Sequence, residues 1–137
     1  MSSYSPILAS LNVALGGAIG AVLRYQLGRG MTHWLGVQAV STFPWATLAV
    51  NAFGSVFMGI LAGWLARQGS PGDGEQLRLL LGVGLLGGFT TFSAFSLEMV
   101  MLLERGQFTF AALYAVLSFA LGISGLIFGL TVMRAYG

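Results

Sequence analysis

The sequence predicts an all-α integral membrane protein of four transmembrane helices, and three observations carry that prediction. Hydrophobic residues fill 56% of the 137 positions and charged residues only 7%, against roughly 25% charged in soluble domains. Mean hydropathy is +0.85. Four apolar stretches, near Ile7–Leu27, Trp45–Ala66, Leu77–Leu103 and Phe108–Met133, each meet the length of about 20 residues that a helix needs to cross a bilayer. The chain reads as a single transmembrane domain over 1–137, with no soluble module and no internal repeat.

The first span opens without a basic segment in Met1–Leu11, so it reads as an uncleaved span and not as a signal peptide. Asn12 within it is expected to hydrogen-bond a neighbouring helix. Arg24, near its end, can snorkel or line an anion-attracting mouth. The connection over 28–44 is long enough for a short interfacial helix around Trp34, and His33 reads as an ordinary surface residue. Trp45 and Trp64 bracket the second span, as interfacial aromatics do. Arg67–Gln76 holds Gly69, Ser70, Pro71, Gly72, Asp73 and Gly74 and is a loop. The third span contains Gly87–Ser96, GGFTTFSAFS, whose Gly pair and hydroxyls predict a broken helix. Glu104-Arg105-Gly106 is a tight connection into the fourth span.

Charge excludes more than it assigns. A net charge of +2 is too weak to point to nucleic acid, and the absence of Cys removes disulfides and thiolate metal sites. No Ser/His/Asp set, HExxH, P-loop or carboxylate pair gives an enzyme a site. All six basic residues are Arg. Four spans put both termini on one side, so Arg67, Arg78 and Arg134 face Arg24, Arg29 and Arg105 across the membrane, three against three. Basic residues normally orient a membrane protein. The tie predicts insertion in both directions and pairing as an antiparallel, dual-topology homodimer, unless factors outside the charge count set orientation. Gly16/Gly20, Gly59/Gly63, Gly84/Gly88 and Gly125/Gly129 are pairs four apart, the spacing that lets helices approach closely.

Polar side chains inside spans are the functional candidates. Irregular backbone at membrane depth survives only where protein or a water-filled cavity surrounds it, which makes Gly87–Ser96 the first place to seek an ion. Asn51 sits among the small Ala52, Gly54 and Ser55, and its amide offers two donors to an anion or one acceptor to a cation. Phe92 and Phe95 interleave with Thr90, Thr91, Ser93 and Ser96. Ring edges suit an anion and ring faces a cation, so the residues alone leave the sign of the ion open. Tyr114 and Ser118, four apart, share a face of the last span that Gly122 continues. Glu98 is the one acid well inside a span and is expected in an interfacial ion pair.

These residues resemble those of the small four-span fluoride channels of bacteria, the Fluc or CrcB family. Gly16–Tyr25 looks like the family's opening segment, Asn51-Ala52-Phe53-Gly54 its second-span motif, and Gly87–Ser96 its signature. The resemblance implies passive export of cytoplasmic F⁻ across the plasma (inner) membrane by an antiparallel homodimer with two pathways. By the same resemblance Asn51, Phe92 and Phe95 line a pathway, Tyr114 and Ser118 match polar positions of the fourth span, and the backbone carbonyls of Gly87 and Thr90 hold a central Na⁺. Ala94 and Gly122 stand where relatives carry hydroxyls, which thins the polar track. A small multidrug exporter would instead want a carboxylate in the first span, and Ile7–Leu27 has none. A non-transporting scaffold would have no need of the Gly-Gly and hydroxyl/Phe pattern.

Overall fold

The computed structural model describes residues 5–69, 72 and 74–136, and these residues form helices joined by turns and short irregular segments, without a strand. Met1–Tyr4 of the expected uncleaved start, and Ser70, Pro71 and Asp73 of the second connection, lie outside the described residues.

Helix α1 runs Pro6–Leu35. Pro6 opens it, where its missing N–H costs nothing. The helix passes the expected end at Leu27 and continues to Gly36, whose φ of 91° ends it while its N–H bonds the Thr32 carbonyl. Gly28 and Gly30 were not stops, because glycine ends a helix through a left-handed φ and these two keep helical backbone. Trp34 and His33 therefore ride on α1, and the short connecting helix is α2, Val37–Thr42. Thirty residues span about 45 Å, more than the roughly 30 Å of hydrocarbon. The helix therefore tilts in the bilayer or carries one end into the headgroup layer.

Helix α3 is Trp45–Leu65. The third span is composite: α4 Glu75–Leu77, a π-wound segment Arg78–Leu86, α5 Gly87–Phe89, two extended residues, then α6 Phe92–Glu104. Helix α7 is Phe108–Ala135. Four helical stretches, Pro6–Leu35, Trp45–Leu65, Glu75–Glu104 and Phe108–Ala135, are long and apolar enough to cross a membrane.

Glycine sets how they pack. A Cβ on Gly16 or Gly20 would run into the Leu80 or Leu85 carbonyl, and one on Gly88 would lie 2.5 Å from the Gly17 carbonyl. Rising numbers meet rising numbers, so α1 and the π segment cross in parallel. The same holds between α3 and α7, where Gly59 meets Leu126 and Gly63 meets Met133. All four glycine pairs of the sequence lie in these two seams. The buried cluster is small: Phe43, Leu48, Leu102, Ala111 and Tyr114. Phe119, Ile123, Ile127 and Phe128 instead point outward, the arrangement a bilayer favours.

Candidate ion pathway

Most of the candidate residues gather where the third span leaves helical geometry. Gly87 and Gly88 remain helical, and the extended residues are Thr90 (φ −84°, ψ 157°) and Thr91 (φ −152°, ψ 121°). The break thus lies within the expected Gly87–Ser96 segment, at the threonines and not at the Gly pair. The glycines serve close approach to α1 (Gly88 onto Gly17), and the threonines carry the turn.

Several of the polar groups freed there find partners in protein. Thr91 N–H, which a continuing helix would give to the Gly87 carbonyl, donates to Asn51 Oδ1 at 2.8 Å. Asn51 Nδ2 returns a bond to the Thr91 carbonyl at 3.0 Å. The Asn51 amide thereby pairs with both main-chain groups of one residue as a strand neighbour would, and one of its N–H donors is left over. Thr91 Oγ1 caps α6 by accepting from Ala94 N–H at 3.1 Å. Thr90 N–H and Oγ1–H both donate to the Leu86 carbonyl, at 2.9 and 2.8 Å. Gly54 is required opposite, since a Cβ there would collide with the Thr90 methyl. Arg24 Nε donates to the Gly88 carbonyl at 3.2 Å, so Arg24 lies against the interruption and does not snorkel.

Two open cavities meet at Thr91. One, about 320 Å³, is lined by Asn51, Ser55, Thr90, Thr91, Phe92, Phe95, Ser118 and Gly122 among others, with no charged side chain in its wall. Ser118 Oγ is buried without a hydrogen-bond partner. The other, about 830 Å³, is lined by Arg24, Arg29, Thr32, His33, Thr47 and Thr91, with further residues of α1 and α3. Thr91 belongs to both walls, so the interruption is the partition between a basic vestibule and a neutral chamber.

Phe95 is central to the chamber's aromatic wall. Its ring centroid lies 5.8 Å from Phe92, 5.0 Å from Tyr114 and 6.3 Å from Phe119, the last nearly edge-on at 74°. Phe92 is 76% exposed, leaving its ring open to whatever covers this face. Tyr114 lies wholly buried outside the chamber and reaches it only through Phe95. Four of the five pathway residues expected from the sequence, Asn51, Phe92, Phe95 and Ser118, therefore share one wall; Tyr114 does not. Of the two expected cation ligands, Thr90 lines the chamber and Gly87 does not.

Glu98 departs from expectation. It forms no ion pair among the described residues. Its Oε1 accepts from the Thr47 hydroxyl at 2.6 Å and its Oε2 from the Tyr114 hydroxyl at 2.8 Å. Two O–H donors solvate the carboxylate in place of an arginine. Thr47 was missed in the sequence. Its signal was present, because Thr47 lies four residues before Asn51 and shares its helix face. His33, read as a plain surface residue, lines the vestibule.

Residues 11–130 match the profile of a family described as "CrcB-like protein, Camphor Resistance (CrcB)". A protein of Erythrobacter litoralis is 65% identical over 136 residues, covering 99% of both chains. One of Novosphingobium aromaticivorans is 58% identical over 92% of this chain and 96% of its own. One of Rhodospirillum centenum is 50% identical over 90% and 94%. Each of the three is named "Fluoride-specific ion channel FluC".

Proposed function

The chain belongs to the CrcB-like family, and on that premise we propose that it is a fluoride-selective channel, not an enzyme, that passively exports cytoplasmic F⁻. The observation that carries this reading is the chamber at Thr90–Thr91. Its wall is neutral, and it presents a buried, unpartnered Ser118 hydroxyl beside the Phe92 and Phe95 rings. Fluoride is small and tightly hydrated, so a pore must replace its water with donors and still release it. Hydroxyl and amide donors and the positive edges of aromatic rings are neutral partners of that kind. A lysine or arginine in the wall would hold the anion too long, and none lines it.

No coupling is required. HF enters as a neutral acid and dissociates at cytoplasmic pH. A negative-inside potential drives the anion out by about 2.3 kcal/mol per 100 mV, close to fifty-fold in concentration. On this reading the protein sits in the inner membrane.

The working unit is an antiparallel homodimer. The arginine tie supports insertion both ways, and the exposed Phe92 ring is a pathway wall that a second copy would complete. A structural Na⁺ at the dimer axis would be held by the Gly87 and Thr90 carbonyls. The residues fit such an ion: Thr91 N–H turns to Asn51 and leaves the Gly87 carbonyl without its helical donor, and hard cations take oxygen ligands. Its charge would offset the desolvation of nearby anions.

The test is efflux from liposomes loaded with fluoride or chloride after reconstitution of the purified protein. Rapid fluoride release with little chloride release is expected. Release no faster than from protein-free liposomes, or equal release of both halides, would overturn the reading.

A further inference from the structure

Three basic side chains, Arg24, Arg29 and His33, line the vestibule, and one of them is a histidine. Arg24 sits at its inner end, bonded to the Gly88 carbonyl. Arg29 and His33, one helical turn apart on α1, line the same cavity. Both are exposed, and neither makes a hydrogen bond or ion pair among the described residues. Both lie beyond the first 20 or so residues of α1, which is the length that spans hydrocarbon.

The groups facing His33 are few. From its own helix they are Arg24, Arg29 and the Tyr25 phenol. From α2, the start of α3 and the Thr91–Ala94 turn, no ionisable side chain enters the wall. The nearest link to an acid runs through Thr47, whose hydroxyl is committed to Glu98. No carboxylate lines the cavity among the described residues, so a proton on His33 would meet no fixed anion there.

We propose that the vestibule is a pH-tuned anion antechamber, in which protonation of His33 adds a third cation beside Arg24 and Arg29 and raises fluoride throughput. This rests on the channel reading above. Histidine is the side chain that ordinarily changes charge between about pH 5 and pH 8. A mouth of one sign concentrates counter-ions and speeds their entry, in a manner weakened by salt. The direction suits the chemistry, because acid outside the cell is the condition under which neutral HF enters. One added unit charge acting through water over several ångströms predicts about a twofold to threefold increase.

Single-channel fluoride current in planar bilayers tests this, since neutral HF carries no current and amplitude does not depend on how many copies insert. Wild-type current should rise about twofold to threefold from about pH 8 to about pH 5.5 at low ionic strength. The rise should vanish when inert salt shortens the screening length from about 30 Å to about 3 Å. His33→Gln should hold the lower current at both pH values, and His33→Lys the higher one. A structural role for His33 would produce neither the rescue by Lys nor the salt dependence. Wild-type current flat across pH, or a rise that survives in His33→Gln, overturns the inference and leaves the channel reading intact. No fluoride current at either pH overturns both.

Discussion

Replacing Asn51 with Leu should collapse the interruption in the third span. The side chains are similar in size, so the change isolates the amide. Its two bonds to the Thr91 peptide, at 2.8 and 3.0 Å, would both be lost. Hydrogen bonds inside membrane proteins average about 0.6 kcal/mol, which sets a floor of about 1 kcal/mol for the pair. Leaving the Thr91 N–H and carbonyl both unsatisfied in a part-buried site costs about 1–3 kcal/mol each, a ceiling of about 6 kcal/mol. The chain can escape the ceiling by rewinding Thr90 and Thr91 into helix, which returns Thr91 N–H to the Gly87 carbonyl. Each residue rewound turns α6 by about 100°, so Phe92 and Phe95 would leave the chamber. Asn51→Leu should therefore lower the unfolding temperature of the purified protein and abolish fluoride efflux. Asn51→Asp keeps the acceptor for Thr91 N–H, loses the donor and places a charge in the anion's way. It should cost less stability than Leu yet block flux as fully. An Asn51→Leu variant that unfolds at the wild-type temperature and conducts normally would refute the pairing as the element that holds Thr91 extended.

Phe92→Ile and Phe95→Ile keep bulk and remove the ring quadrupole, so each should lower fluoride efflux sharply while the purified protein keeps its oligomeric state; wild-type efflux in both would make these rings packing residues. Gly20→Ala and Gly129→Ala drive a methyl into the Leu85 and Val56 carbonyls, and overpacking of this kind costs about 1–3 kcal/mol, whereas Gly28→Ala, with nothing within 4 Å, should be neutral in the same thermal unfolding assay. Thr90→Ser keeps the hydroxyl bonded to Leu86 and loses one methyl against Gly54, about 0.8 kcal/mol, so it should conduct and retain any isotopic Na⁺ that the wild type binds. Terminal tags should label from both sides of the membrane in native cells, and labelling from one side alone would remove the dual-topology reading.

What the sequence made legible was what hydrophobic length and residue type can encode. The four spans follow from apolar runs alone, and the seams follow from glycines four apart. The end of α1 was not legible, because Gly28, Gly30 and Gly36 look alike until one of them takes a left-handed φ. The π winding over Arg78–Leu86 was hidden for a related reason. A run of Leu and Gly offers no polar face whose period separates one helical pitch from another. Glu98 was misjudged because its partners come from two other helices, 51 and 16 residues away, and nothing local to Glu98 marks them.

Where the break falls within Gly87–Ser96 carries the larger physical lesson. In water a glycine pair followed by threonines suggests that glycine bends and threonine decorates. In lipid each freed backbone group must first be satisfied by protein, and that requirement reverses the roles. Glycine is needed where the backbones of α1 and the third span touch, as Gly88 does at Gly17. The turn goes to Thr90 and Thr91, whose hydroxyls bond their own chain at Leu86 and Ala94. Those hydroxyls are consequently occupied, as is most of the Asn51 amide. A buried hydroxyl of the chamber wall left without a partner is Ser118, on α7 across the chamber. The residues that look most like ion ligands in the sequence hold the opening apart, and Ser118, a hydroxyl free to solvate an ion, stands on the facing helix.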